Sequence, residues 1–110
     1  MSKFKVEVLI NFNKESKRLF KKYRSLAVEV ADLIESLSTD PMQGTAIGKN
    51  CYKIRLSIKS KGKGKSGGAR AITCVIAVDE RVLLLSIYDK SEQANIPDKL
   101  LDQLLTDAGL

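Results

Sequence analysis

The sequence predicts an α+β fold in the order β-α-α-β-β-β-α, an antiparallel-dominated sheet with two N-terminal helices packed on it. Three observations carry this reading. Apolar residues alternate singly near the N-terminus and again after Cys51, they recur at helical spacing before Pro41 and after Pro97, and turn signals divide the second half into a meander. At 110 residues the chain is expected to form one domain over residues 1–110.

Phe4, Val6, Val8 and Ile10 alternate with Lys3, Lys5 and Glu7, the pattern of a strand with one buried face. Asn13 is a candidate cap for the helix that follows, where Leu19, Phe20 and Tyr23 form a stripe and the lysines stay in water. Ser25 is a candidate cap for a second helix with its stripe at Leu26, Val30, Leu33, Ile34 and Leu37, closed by Asp40-Pro41. Gly44 and Gly48 mark a loop. Tyr52, Ile54, Leu56 and Ile58 then alternate with Lys53, Arg55, Ser57 and Lys59, so the second strand buries one face and offers the other as a positive stripe. Residues 60–68 are too rich in Gly and Lys for a strand and read as a mobile hairpin loop. Arg70 to Val78 is apolar on both faces, as a central strand is. Asp79-Glu80 turns the chain into a fourth strand ending near Tyr88, and Pro97 opens a last helix with a Leu100, Leu101, Leu104, Leu105 stripe.

Charge is concentrated rather than spread. From Pro41 to Val78 there is no Asp or Glu, while Lys49, Lys53, Arg55, Lys59, Lys61, Lys63, Lys65 and Arg70 supply eight positive charges, more than the whole net charge of +6. A polyanion is the partner this predicts, with Lys49, Lys59, Lys61, Lys63 and Lys65 as phosphate or RNA contacts. The basic residues do not lie on an amphipathic helix, which favours nucleic acid over a membrane surface. No apolar run is long enough to span a bilayer and the N-terminus alternates, so a cytoplasmic protein is expected.

Histidine is absent, which removes His-based triads and the usual zinc ligands, and Cys51 and Cys74 have no metal-site spacing; they read as packed thiols. No metal or other cofactor is expected. Proton transfer is left to Lys, Tyr, Asp, Glu or water. Crowded positive charge disfavours protonation of any one lysine, which makes a lysine in this segment a candidate base. Gly64-Lys65-Ser66 ends like a phosphate-binding P-loop, but Lys59 stands where its first glycine belongs and a strand follows. Tyr88, at a strand end, is a candidate exposed ring for stacking on a base.

Tyr52-Lys53-Ile54-Arg55-Leu56, the stretch GKSGGAR (Gly64 to Arg70) and LLLSIYDKSEQANI (Leu83 to Ile96) together resemble toxins of the RelE/ParE superfamily, of the RelE and HigB-like kind found in type II toxin-antitoxin pairs. The resemblance implies a RelE-like domain and a metal-independent, ribosome-dependent mRNA endonuclease that inhibits translation in the cytoplasm of a bacterium. In such enzymes the ribose 2′-hydroxyl attacks the adjacent phosphate. It implies a cognate antitoxin, the ribosome and mRNA as partners, no membrane, and either a homodimer or a toxin-antitoxin hetero-oligomer. By position, Lys53, Arg55, Arg70 and Lys90 fall on the family's catalytic basic residues, with Lys53, or Lys63 or Lys65, as base. Ile96 stands near the family's C-terminal tyrosine, for which Tyr88 is the candidate substitute. Strict alternation would turn Arg70 towards the side of Ile72 and Cys74, so a bulge near Gly67-Gly68 is expected if it is to join Lys53. Loss of the Lys53 and Arg70 charges, taken as exposed, is expected to cost little stability. The alternatives are a ParE-like inhibitor of DNA gyrase and a non-catalytic RNA-binding module.

Overall fold

The computed structural model describes residues 3–62 and 64–110, the side chains of Lys65 and Ser66 excepted. Among the described residues, five strands and three helices follow in the order β1 (Lys5–Val8), α1 (Ile10–Lys22), α2 (Ser25–Leu37), β2 (Thr45–Gly48), β3 (Cys51–Leu56), β4 (Ala69–Ile76), β5 (Arg81–Asp89) and α3 (Asp98–Asp107). They build one mixed sheet in the order β1-β5-β4-β3-β2, antiparallel throughout except where β1 runs parallel to β5. The α+β architecture is as expected.

The expected 44–48 loop is a strand. Thr45–Gly48 pairs antiparallel with β3 as the sheet's edge, and Lys49 and Asn50 make the two-residue turn between them with φ of 56° and 63°. Positive φ at both central residues is the type I′ geometry whose twist matches a hairpin. Asn accepts that conformation readily and Lys does not, so the turn carries only half its usual signature. Two helix caps also differ. α1 starts at Ile10, three residues before Asn13, and α2 includes Ser25 as its first residue after a helical Arg24. The 60–68 segment is not structureless where described: short 3-10 turns cover Lys59–Lys61 and Gly64–Gly67.

The two faces of the sheet are covered unequally. On one, Phe12, Leu19, Leu26, Val30, Leu33 and Leu37 of α1 and α2 pack on Ile54, Leu56, Ala69, Ala71, Val82, Leu84 and Ile87. On the other, Leu101 and Leu104 of α3, with Ile96, cover Cys51, Ile72, Cys74, Leu83, Leu85 and Tyr88. Burying each Val, Leu, Ile or Phe side chain among these contributes roughly 1.5–3 kcal/mol. The single helix of the second face leaves part of it open, and the cleft described below occupies that part.

β5 outruns its neighbour β1. Beyond Leu84 its outer edge would present unpaired backbone groups, a costly state under a helix. Side chains of α1 take the place of a strand: Asn11 Nδ2 donates to the Leu85 carbonyl (3.0 Å), and the Glu15 carboxylate accepts from the Ile87 N–H (3.3 Å) and the Ser86 hydroxyl (2.7 Å). The pairing of β4 with β5 shifts at the same level, between Ile72/Ser86 and Thr73/Leu84. This bulge, clamped by α1, sets the direction of the last residues of β5. No helix among the described residues is long and apolar enough to cross a membrane.

Candidate active site

Register brings the basic residues together. β3 and β4 pair Cys51 with Cys74, Lys53 with Ile72 and Arg55 with Arg70, and β5 continues the last row with Tyr88. Residues directly opposite in an antiparallel pair project from the same face. The side of Ile72 and Cys74 is therefore also the side of Lys53, and the bulge expected near Gly67-Gly68 is not needed. Gly68 matters for a different reason. A Cβ there would lie 1.9 Å from the Leu56 carbonyl oxygen, so only glycine lets β4 enter the sheet this close to β3.

Lys53, Arg55 and Arg70 line an open cleft of about 380 Å³ with Lys90, Thr45, Ala94 and Asn95. Lys90 is placed by its backbone, whose N–H donates to the Gly68 carbonyl (3.0 Å) one residue beyond the end of β5. Lys53 Nζ donates to Asn95 Oδ1 at 3.0 Å. Arg70 is buried at 3% exposure, contrary to the expectation of an exposed charge, and its Nη1 donates to the Ala69 carbonyl (3.1 Å). Burial, and then the charge of Arg55, lower the Arg70 pKa from its usual value, while Tyr88 opposes them. The group stays cationic all the same. No carboxylate lines the cleft among the described residues. Like charges set directly across strands cost stability, so the Arg55/Arg70 row is an arrangement that a bound anion relieves.

The other expected contacts go elsewhere. Lys61 donates to Asp89 Oδ1 at 2.6 Å and to Ser91 Oγ at 3.1 Å, with its ammonium 5.1 Å from the centre of the Tyr23 ring. Asp89 pairs across the sheet with Ala69 and so projects to the α1/α2 side, away from Arg70 and Tyr88. Burial opposes its ionisation, but Lys61, both donors of Ser91 and the Tyr23 hydroxyl outweigh this and hold the carboxyl at about 2. Lys61 is thus part of the scaffold, not a free phosphate contact. Lys49, on the β2–β3 turn, pairs with Asp102 of α3. Lys59 is exposed but outside the cleft lining. Lys63 and the side chain of Lys65 lie outside the described residues.

Tyr88 is not the exposed ring expected. It is 2% exposed, packed with Ile96 under α3, and burial raises its phenol pKa against the charge of Arg70 and the Ile96 amide. In this position it supports Arg70 rather than offering a face to a base. Asn95 and Thr45 are the polar cleft residues to which sequence reasoning assigned no role: Asn95 sits in a polar loop with no periodicity to single it out, and Thr45 in the edge strand expected as a loop. A larger hollow of about 710 Å³ lies at the opposite end of β3 and β4, around Met42, Tyr52, Val78 and Leu105. Its one lysine is Lys49, already paired with Asp102, so it lacks the converging cations of the smaller cleft.

What the cleft can do chemically is bind a phosphate through several cations and present an amine, Lys53, beside it. Comparison with known proteins bears on this. A family model described as the RelE toxin of the RelE/RelB toxin-antitoxin system matches residues 9–109. Among solved structures, the free state of an E. coli RelE toxin carrying two arginine-to-alanine substitutions superposes with a TM-score of 0.61 at 17% identity, over 97% of this chain and 98% of that one. The structural likeness is one of fold.

Proposed function

The chain belongs to the RelE toxin family of toxin-antitoxin systems, and from that premise we propose that it is a metal-independent, ribosome-dependent mRNA endonuclease. The observation that carries the reading is the convergence of Lys53, Arg55, Arg70 and Lys90, from three separate stretches of chain, on one cleft that no carboxylate lines among the described residues. Cleavage by the neighbouring 2′-hydroxyl asks for little else. Its oxygen bonds to phosphorus as its proton is removed, the P–O5′ bond breaks, and the departing 5′-oxygen takes a proton, leaving a 2′,3′-cyclic phosphate. Arg55, Arg70 and Lys90 hold the non-bridging oxygens, where negative charge grows in the transition state. Lys53, oriented by Asn95, carries the proton. Removing one such charge-stabilising donor costs on the order of 10²–10³ in rate.

A partner antitoxin follows from family membership. In our reading it silences the toxin by covering the cleft, and the ribosome supplies the mRNA in an extended, single-stranded form. The chain acts in the cytoplasm, where translation takes place.

The test is controlled expression in bacteria with primer extension on one message in translated and untranslated forms. Native protein is expected to cut only the translated message, and Lys53→Ala and Arg55→Ala to abolish cutting while circular dichroism shows an intact fold. Growth arrest with the message intact and DNA gyrase inhibited would refute the nuclease reading.

A further inference from the structure

Cys51 and Cys74, the chain's two cysteines, are free thiols set directly opposite each other on β3 and β4. One residue further out on each strand, the Val75 N–H donates to the Asn50 carbonyl at 2.9 Å. Hydrogen-bonded and non-hydrogen-bonded pairs alternate along an antiparallel ladder, so the cysteines form a non-hydrogen-bonded pair, the closer kind, with Cα atoms about 4.5 Å apart. A disulfide spans about 4.4–6.8 Å between Cα atoms. Both sulfurs also lie near one atom: Cys51 Sγ is 3.5 Å and Cys74 Sγ 3.9 Å from the Lys49 carbonyl oxygen. Register therefore brings the two thiols within bonding reach with the strands left where they are. We propose that Cys51 and Cys74 are an oxidative modification site, a dithiol that a hydroperoxide converts reversibly into a cross-strand disulfide. The site is independent of the basic cleft and of whether the chain cuts RNA.

The two thiols are not equivalent. Both are buried, but Cys74 lines the hollow of about 710 Å³ at this end of the sheet, beside Tyr52, Val75 and Leu105, so an oxidant as small as hydrogen peroxide reaches it. The hydrogen bond from the Cys51 thiol lowers the Cys74 pKa against the effect of burial, and the same bond, with burial adding to it, raises that of Cys51. The thiolate is the nucleophile, which makes Cys74 the attacking group. Its sulfur takes one oxygen of hydrogen peroxide as the O–O bond breaks, leaving a sulfenic acid and one water. The Cys51 sulfur then bonds to the Cys74 sulfur, the S–O bond breaks, and the hydroxyl departs with the Cys51 proton as a second water. Two thiols are oxidised by two electrons and one peroxide is reduced by two. A thiol reductant reverses the change by exchange, so in a reducing compartment the disulfide is transient. While it lasts it closes a loop that holds Lys53, Arg55, Lys61 and Arg70. A cross-link of this span is expected to raise the Tm on the order of 10 °C.

The test treats the folded native chain with hydrogen peroxide, blocks remaining thiols with N-ethylmaleimide in denaturant, and maps tryptic peptides without reduction. The peptide Asn50–Lys53 is expected joined to Ala71–Arg81 within one chain, with neither cysteine alkylated. Dithiothreitol is expected to restore both thiols and return the Tm to that of the untreated protein. Cys51→Ala and Cys74→Ala are expected to give no joined peptide and no rise in Tm with peroxide. With the cyclic diketone dimedone present, Cys51→Ala is expected to trap a sulfenic acid at Cys74, and Cys74→Ala to trap none at Cys51. Because the native chain is compared with itself before and after oxidation, the main result does not depend on how well either variant folds. Two alkylated thiols after peroxide, a link that forms only in denaturant or only between chains, or a joined peptide with no change in Tm overturns the proposal.

Discussion

Lys61→Met separates the scaffold from the RNA surface. The substitution keeps the aliphatic stem and deletes the ammonium that lies 2.6 Å from Asp89, whose side chain is fully buried. Breaking a buried pair by removing one partner costs about 3–5 kcal/mol. Asp89 keeps its bonds from the Tyr23 hydroxyl (3.0 Å), the Ser91 N–H (2.9 Å) and the Ser91 hydroxyl (2.8 Å), so the lower end applies, about 3 kcal/mol. For a chain of this size that is a fall in Tm on the order of 10 °C. The pH dependence carries a second signature. The Asp89 carboxyl titrates near 2 in the folded protein against an ordinary 3.8, and at about 1.4 kcal/mol per pH unit this is about 2 kcal/mol of stability at neutral pH. Because the folded value is depressed, that contribution is complete above pH 3.8 and is lost as the pH falls towards 2. Urea melts between about pH 2 and 7 are expected to show the loss in the native chain, a smaller one in Lys61→Met, and none attributable to this site in Asp89→Asn. RNA affinity at fixed temperature, well below either melt, is expected to keep its salt dependence in Lys61→Met. Unchanged stability together with a salt slope reduced by about one counterion would refute the reasoning and return Lys61 to the RNA surface.

Other consequences are simpler to state. Gly68→Ala places a methyl against the Leu56 carbonyl oxygen and is expected to cost about 3 kcal/mol, read as a lowered urea midpoint; a neutral effect would mean that β4 enters the sheet less tightly than described. Glu15→Ala leaves the Ile87 N–H and the Ser86 hydroxyl without their acceptor and is expected to cost about 1–3 kcal/mol, with faster hydrogen exchange at Ile87 while amides of β3 stay protected. Arg70→Ala is expected to lower both stability and cleavage, whereas Arg55→Ala and Lys90→Ala, at exposed positions, lower cleavage with stability within about 0.5 kcal/mol of native. Thermal melts run beside the primer-extension assay distinguish these outcomes.

The long elements could be read from the sequence because their burial is periodic. Leu26, Val30, Leu33 and Leu37 repeat at helical spacing and are all in the core, and Ile54 and Leu56 alternate with Lys53 and Arg55 as a half-buried strand must. β2 escaped because four residues, TAIG, are too few to show a period, and its turn was built on a lysine with positive φ instead of the usual Asn-Gly. Periodicity also says which residues of one strand share a face, but not which face of the next strand meets them. That depends on register, and it is why alternation along β4 alone set Arg70 apart from Lys53 when cross-strand pairing unites them.

The same limit explains the charged segment as a whole. Counting charges along 49–70 treats them as one surface, yet the sheet sorts them by pairing and parity. Lys53, Arg55 and Arg70 fall on the face that α3 leaves open, Lys49 is drawn to Asp102 at the far end of that face, and Lys61 crosses to the α1/α2 side to neutralise Asp89. In sequence Asp89 stands between Tyr88, which lies below the cleft, and Lys90, which lines it. A buried carboxylate at the end of β5 would pull the cleft's cations towards itself if it pointed the other way. Facing the helices and satisfied there by Lys61, Tyr23 and Ser91, it leaves Lys90 to complete a cleft whose lining charges, among the described residues, are all positive. The lysine that the scaffold consumes at position 61 is therefore part of how the site keeps its positive charge for phosphate.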